Sequence, residues 1–187
     1  MLSSYAVTPT GGAALYAVSA VTSGSQVVGA LAVEIPVEGI NTVVSSDGEW
    51  DDIGVRQGDV YIVGADQTLQ SEPRAWQDDP DGYLEAAERA GSSAFEIGRI
   101  RNFDTTILIQ EVRTPASSAA LMGETATTTT EDYRGVEVLS SYAPLDIDDV
   151  EWVILAEIDA KRLERKRSTH PLYDRDALII LGSHVTL

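Results

Sequence analysis

Residues 125–158 read TATTTTEDYRGVEVLSSYAPLDIDDVEWVILAEI, and their pattern decides the fold. Thr125 to Thr130 is β-branched and suits a pleated, half-buried surface. Asp132-Tyr-Arg-Gly135 is turn chemistry, because an Asp side chain bonds the backbone two residues on and Gly takes positive φ freely. Val136-Glu-Val-Leu-Ser-Ser-Tyr-Ala143 follows as a strand, Pro144 to Asp149 as a loop, and Val150-Glu-Trp-Val-Ile-Leu-Ala-Glu-Ile158 as the last strand. Three consecutive strands with short links predict an antiparallel meander.

Helical patterns lie on either side of this meander. Tyr83 to Ala90 follows the polar break Asp78-Asp-Pro-Asp-Gly82, and Ala116 to Met122 is alanine-rich and closed by Gly123. Asp159 is placed to cap a final helix through Arg167, which Pro171 interrupts. The class is therefore α+β, an antiparallel sheet flanked by helices. Further strands are expected at Asp59 to Gly64, at its short return Leu69 to Ser71, and at Thr105 to Val112. Near the front, Leu15 to Val21 and Gln26 to Ile35 read as a hairpin around Thr22-Ser-Gly-Ser25, the second strand being apolar enough for burial on both faces. Pro36 opens a short amphipathic helix to residue 46, with Val37, Ile40, Val43 and Val44 at helical spacing.

Bulk properties narrow the function. Apolar residues form 43% of the 187, enough for a core. Thirty acidic against 13 basic residues leave a formal charge of −17, which repels phosphate backbones and argues against a nucleic-acid partner. Without cysteine there is no disulfide, thiolate metal site or cysteine nucleophile. Both histidines, His170 and His184, fall in the tail, so a histidine metal cluster or a Ser-His-Asp triad is not expected. Met1-Leu-Ser-Ser-Tyr does not open a signal peptide, and no stretch reaches the roughly 18 apolar residues of a membrane span.

Three blocks carry a family resemblance. Gln26-Val-Val-Gly-Ala-Leu-Ala-Val-Glu-Ile-Pro36 with Ile40-Asn41 is one. Gly58-Asp-Val-Tyr-Ile-Val-Gly-Ala-Asp66 with Ser71 and Arg74 is the second. Asp132 to Asp146 with Glu151 to Asp159 is the third and most specific, because strand, turn and strand occur in register. Over residues 5 to 165 the chain resembles the Cache superfamily of PAS-like extracellular sensors, in particular the double-Cache regions of bacterial nucleotide cyclases, histidine kinases and chemoreceptors. The resemblance implies that residues 1–35 are the terminal hairpin of a truncated distal module, that 36–165 form a membrane-proximal module, and that 166–187 lead toward a transmembrane segment outside this sequence. One self-contained module with an atypical start is the alternative.

The candidate ligand residues are Tyr61, Arg74, Trp76, Tyr133, Arg134 and Tyr142. Arg74 either pairs a ligand carboxylate or lies at the surface with its stem on Trp76. Tyr61 and Tyr142 are either pocket walls or core residues with hydroxyls at an edge. Asp132, Tyr133 and Arg134 form a turn that is either structural or, as in the family, beside the pocket mouth. Asp146, Asp148 and Asp149, like Asp78, Asp79 and Asp81, lack the ligand spacing of a calcium loop and read as solvated. No metal, cofactor or catalytic residue is expected. The expected function is an extracytoplasmic input domain of a membrane receptor. It would bind a small molecule, an amino acid or carboxylate, or relay a signal to a cytoplasmic output domain. It would be membrane-attached only through anchors elsewhere and compatible with a homodimer. A ligand-free spacer or dimerisation module is the alternative, and an enzyme is disfavoured because no nucleophile–base pair is visible.

Overall fold

The computed structural model describes residues 6–7, 13–45 and 58–161. Strands β1 (Ala6–Val7), β2 (Ala13–Ser23) and β3 (Gln26–Ile35) form an antiparallel sheet in the order β1-β2-β3. The β2–β3 turn uses Gly24 at φ +61°, as its sequence requires. Helix α1 (Val37–Val44) follows, with Pro36 in an extended conformation just before it rather than inside its first turn.

The main sheet has four strands: β4 (Gly58–Gly64), β5 (Ala126–Glu131), β6 (Glu137–Pro144) and β7 (Trp152–Asp159). Their order is β4-β7-β6-β5, and every pairing is antiparallel. The meander expected from residues 125–158 is therefore present, and β4 pairs beyond its last strand. The β5–β6 turn is held by Asp132, whose Oδ1 accepts from the N–H groups of Arg134 at 2.8 Å and Val136 at 2.9 Å.

Period-two alternation assigns each strand residue to a face. Tyr61, Val63, Leu155, Val153 and Tyr142 share one face and pack on Val112, Ala116 and Ala120, the last two from helix α5 (Pro115–Leu121). Ile62 and Trp152 share the opposite face and pack on Leu15, Val44 and Ile107. Each large apolar side chain fully buried here contributes roughly 1.5–3 kcal/mol. Both faces of β4, β6 and β7 are covered, while the edge strand β5 is largely exposed.

Helices α2 (Arg74–Asp78), α3 (Pro80–Ala90) and α4 (Ala94–Phe103) extend the first face. Trp76, Tyr83, Leu84, Ala87, Ile100 and Ile109 form their shared core. Asp79 caps α3 by accepting from the Gly82 N–H at 3.0 Å. A Cβ at residue 82 would collide with that carboxylate. Gly91 ends α3 at φ +106°. A reciprocal capping box between Ser93 and Glu96 starts α4, a Ser-x-x-Glu signature that is visible in the sequence.

Four expectations need correction. Residues 105–112 form turns, not a strand: Leu108 sits at φ +60°, and the ladder reduces to a single bridge between Thr68 and Glu111. The cause is Glu72, whose carboxylate accepts from the Thr105 hydroxyl, the Thr106 N–H at 3.0 Å and the Thr106 hydroxyl at 2.5 Å, bending the segment inward. The return after β4 is one bridge, Val63 to Leu69, rather than a strand. Helices α2 and α4 were not anticipated. Strand β3, expected to be buried on both faces, is exposed on both, with Val28 and Leu31 each 59% accessible. Of the final helix, Ala160 and Lys161 are helical, and the Asp159 carboxylate accepts from the Lys161 N–H at 2.9 Å. Residues 162–187, including His170 and His184, lie outside the described residues.

Candidate functional site

Cross-strand register assembles the site. Asp59 of β4 pairs with Glu157 of β7, and Glu157 pairs with Ser140 of β6. Directly opposed residues share a face, with Cβ atoms about 4.5–5.5 Å apart. The three therefore form a polar row across the sheet. The adjacent row on that face is Tyr61, Leu155 and Tyr142. All three polar side chains are buried, Glu157 with only 2% exposure.

The Asp132 turn and helices α2 and α3 roof this row. The Tyr61 and Tyr133 rings meet edge to face at 5.5 Å between centroids, Tyr83 and Tyr133 at 6.3 Å, and Trp76 and Tyr83 at 5.6 Å. Arg134 donates to Asp132 Oδ2 through Nε at 2.8 Å and Nη2 at 2.6 Å. Its Nη1 lies 4.0 Å from Asp59 Oδ2, and its guanidinium stands 5.5 Å from the centre of the Tyr133 ring.

Hydrogen bonding in the row is incomplete. Tyr61 donates to Glu157 Oε2 at 2.8 Å, and the Arg74 N–H donates to Asp59 Oδ1 at 2.9 Å. Four buried atoms lack a well-aligned hydrogen-bond partner: Asp59 Oδ2, Tyr133 Oη, Ser140 Oγ and Glu157 Oε1. Their polar neighbours are close but not well aligned: Ser140 bears on Glu157, Tyr83 on Tyr133, and Arg134 on Asp59. Burial pushes the Glu157 carboxyl up to about 7, offset in part by the nearby hydroxyls of Tyr61 and Ser140. Burial also raises Asp59, although Arg134 and two backbone N–H groups oppose it. The Tyr61 and Tyr133 hydroxyls are pushed well above their ordinary value, mainly by burial, and stay protonated.

Of the six candidate residues, Tyr61, Tyr133 and Arg134 meet around the polar row. Trp76 stands behind Tyr83 and also lines a groove of about 350 Å³ with Asn41, Glu72 and Thr105. Tyr142 is one row further along, in the core with Val112 and Ala120. The Arg74 side chain is not brought in, since its Nε binds Asp78 at 3.0 Å; its backbone instead holds Asp59. Sequence reasoning missed Asp59, Tyr83, Ser140 and Glu157 as members. A charge at an inward position of an apolar strand was the available signal: Asp59 alternates with Tyr61 and Glu157 with Leu155. Among the described residues no group of three His, Asp or Glu is arranged to hold a metal ion.

No protein-family model matches the chain. A 37-residue stretch, 20% of this chain, is 60% identical to isoleucine–tRNA ligase of Thermoanaerobacter sp. (strain X514) but spans only 4% of that enzyme. A stretch of this length is too short to build a domain core and does not carry the ligase fold. The chain is similar to the periplasmic sensory domain of the Campylobacter jejuni chemoreceptor Tlp1, with a TM-score of 0.52 and 11% identity over 86% of this chain and 49% of that one. It is also similar to the ligand-binding domain of the Pseudomonas aeruginosa amino acid chemoreceptor PctB in complex with L-Arg, with a TM-score of 0.50 and 13% identity over 87% of this chain and 55% of that one. The chain thus spans about half the length of these sensor domains. The chain shares its fold with these two chemoreceptor sensor domains.

Proposed function

We propose that this chain is a sensory input domain of a bacterial membrane receptor, working outside the cytoplasmic membrane and binding a small molecule at the Asp59–Glu157–Ser140 row. The observation that carries this reading is the buried polar row itself, three polar side chains side by side under a roof of aromatic rings. Sites for small molecules combine apolar and aromatic walls with a few converging polar groups. Part of the roof is a β-turn bearing Tyr133 and Arg134, beside helices α2 and α3. A ligand that binds one arrangement of sheet and roof better than another shifts their populations, which is what signalling requires. On this reading the domain recognises its ligand without turning it over. The amino acid chemoreceptor among the structural neighbours makes amino acids and related amines the first ligands to try.

The two-module organisation belongs to the same proposal. Residues 36–165 act as the membrane-proximal module, and the β2–β3 hairpin completes a second sheet supplied by other parts of a larger receptor. The apolar, exposed faces of β3 support this, because contiguous exposed apolar surface marks an interaction site.

A thermal-shift screen against amino acids, amines and carboxylates tests the reading. A ligand at 100 times its Kd should add about 2.7 kcal/mol of apparent stability by mass action. If none of the three classes moves the melting temperature, the domain is a spacer or dimerisation module instead.

A further inference from the structure

We infer that the groove where α1 meets α2 and the end of α4 binds a small organic cation, a primary amine or guanidinium compound whose charge meets Glu38, Glu72 and Asp104 and whose apolar part lies on Trp76 and Phe103. This site is separate from the polar row, none of whose residues lines the groove, and it stands whether or not the row binds a ligand.

The groove has a volume of about 350 Å³, at the small end of the range for ligand sites. Its walls are tied together by contacts between elements distant in sequence. Asn41 Oδ1 on α1 accepts from the Glu72 N–H at 2.9 Å, and the Gln77 side-chain amide on α2 donates to the Glu72 carbonyl at 3.0 Å. The Glu72 carboxylate accepts from Thr105 and Thr106, which holds the segment after α4 beside α2. Glu72 is thus fixed from three directions at once. The groove is formed before a ligand arrives, so little of the binding energy goes into ordering it.

Charge decides what the groove takes. Glu38, Glu72 and Asp104 line it, and among the described lining residues none is basic. Glu72 is only 9% exposed, and the donors on its carboxylate are all neutral: two hydroxyls and one backbone N–H. They satisfy its hydrogen bonding and leave its charge without a counter-charge. Burial pushes this carboxyl up, the threonine donors oppose the rise, and the nearby Asp104 adds to it. A cation in the groove supplies the counter-charge and has the exposed carboxylates of Glu38 and Asp104 as direct partners. Trp76 is buried and Phe103 is 37% exposed, and their rings supply an aromatic surface that attracts cations and shields an apolar body from water. A ligand carboxylate would meet three like charges. A metal ion is a poorer fit, because among the described residues no three acidic or histidine groups are arranged to hold one. The formal charge of −17 also draws cations toward the surface.

Isothermal titration calorimetry on the intact chain tests this with phenethylamine and agmatine, and with phenylpropionate as an anion of similar size. The amines should bind at least about tenfold tighter than phenylpropionate, which meets like charge. An acidic surface attracts amines everywhere, so variants must locate the site. The double variant Glu38→Gln with Asp104→Asn removes two exposed charges and should lower amine affinity about tenfold. Asparagine suits the left-handed backbone at 104, where φ is +51°, so the fold is kept. Phe103→Ala, a second and independent variant, should lower affinity about threefold through the lost ring. Thermal melts of both variants should coincide with that of the parent chain. Amine affinity unchanged in both folded variants would place the binding elsewhere and overturn the inference, as would phenylpropionate binding as tightly as the amines. Failure of both amines to bind the folded chain would also overturn it. In each case the sensory reading of the polar row stands or falls by its own ligand screen.

Discussion

Strands β3 and β7 are both long apolar runs, yet their fates are opposite. Strand β7 lies between β4 and β6, with Leu155 and Val153 under α5 and Trp152 against Leu15 and Val44. Among the described residues strand β3 pairs with β2 alone, and Val27, Val28, Leu31 and Val33 are exposed. Strands β4, β6 and β7 are covered on one face by α5 and on the other by Leu15, Val44 and Ile107, whereas the hairpin packs into this core near its base, through Ala13, Leu15 and Ile35. A two-stranded ribbon with bare apolar faces is marginal in water by itself. The contrast teaches that an apolar run specifies a strand, and that the rest of the molecule determines whether it becomes core or contact surface.

The largest expected effect breaks the buried member of the pair. Leu155→Ala, at a position of 0% exposure, should cost about 2–5 kcal/mol in denaturant unfolding, the usual range for a core leucine. The acidic partner of the same strand sharpens the point through pH. Glu157 is raised to about 7 from an ordinary 4.5, so the native state holds its proton where the unfolded chain has lost it. That contribution is fully present below about pH 4.5 and is lost as pH rises through about 7. Stability should fall across this window by up to about 3 kcal/mol, at 1.36 kcal/mol per pH unit. Glu157→Gln should flatten the profile in urea melts at pH 5, 6, 7 and 8.

A smaller effect tests the cover over β7. Thr114 caps α5 through a reciprocal box with Ser117, and Thr114→Ala should cost about 1 kcal/mol by thermal unfolding. The exposed member should barely respond: Leu31→Ala is expected to change stability by no more than about 0.5 kcal/mol. Leu31→Lys should reduce concentration-dependent association in sedimentation velocity if the hairpin is a contact surface. A cost near that of Leu155→Ala would mean that β3 is buried in solution.

Much of this architecture was legible from residues 58 to 159. The Asp132–Gly135 turn, the Asp79 cap of α3 and the alternation in β6 and β7 are local instructions, written within a few residues of where they act. The short helices α2 and α4 were less legible. Helix α2 has five residues, too few to show a period, and α4 buries only Ile100 fully, so its apolar stripe is faint. The site was half legible. Tyr61, Tyr133 and Arg134 were read as candidates from their place in strand and turn. Of the two fates open to Arg74, its side chain takes an ion pair with Asp78, four residues on in the same short helix.

The sequence by itself determined the α+β class, the meander and its turn, the front hairpin and the lack of thiol or histidine chemistry within the described residues. These follow from alternation, capping and composition, which act over short distances along the chain. The tertiary structure alone decided that Asp59, Glu157 and Ser140 form one row, that Glu72 reaches 33 and 34 residues along the chain to hold Thr105 and Thr106, and that β3 stays uncovered. The register of β4 against β7 joins residues about a hundred positions apart, and no local pattern encodes which carboxylates it will place face to face under a low-dielectric roof.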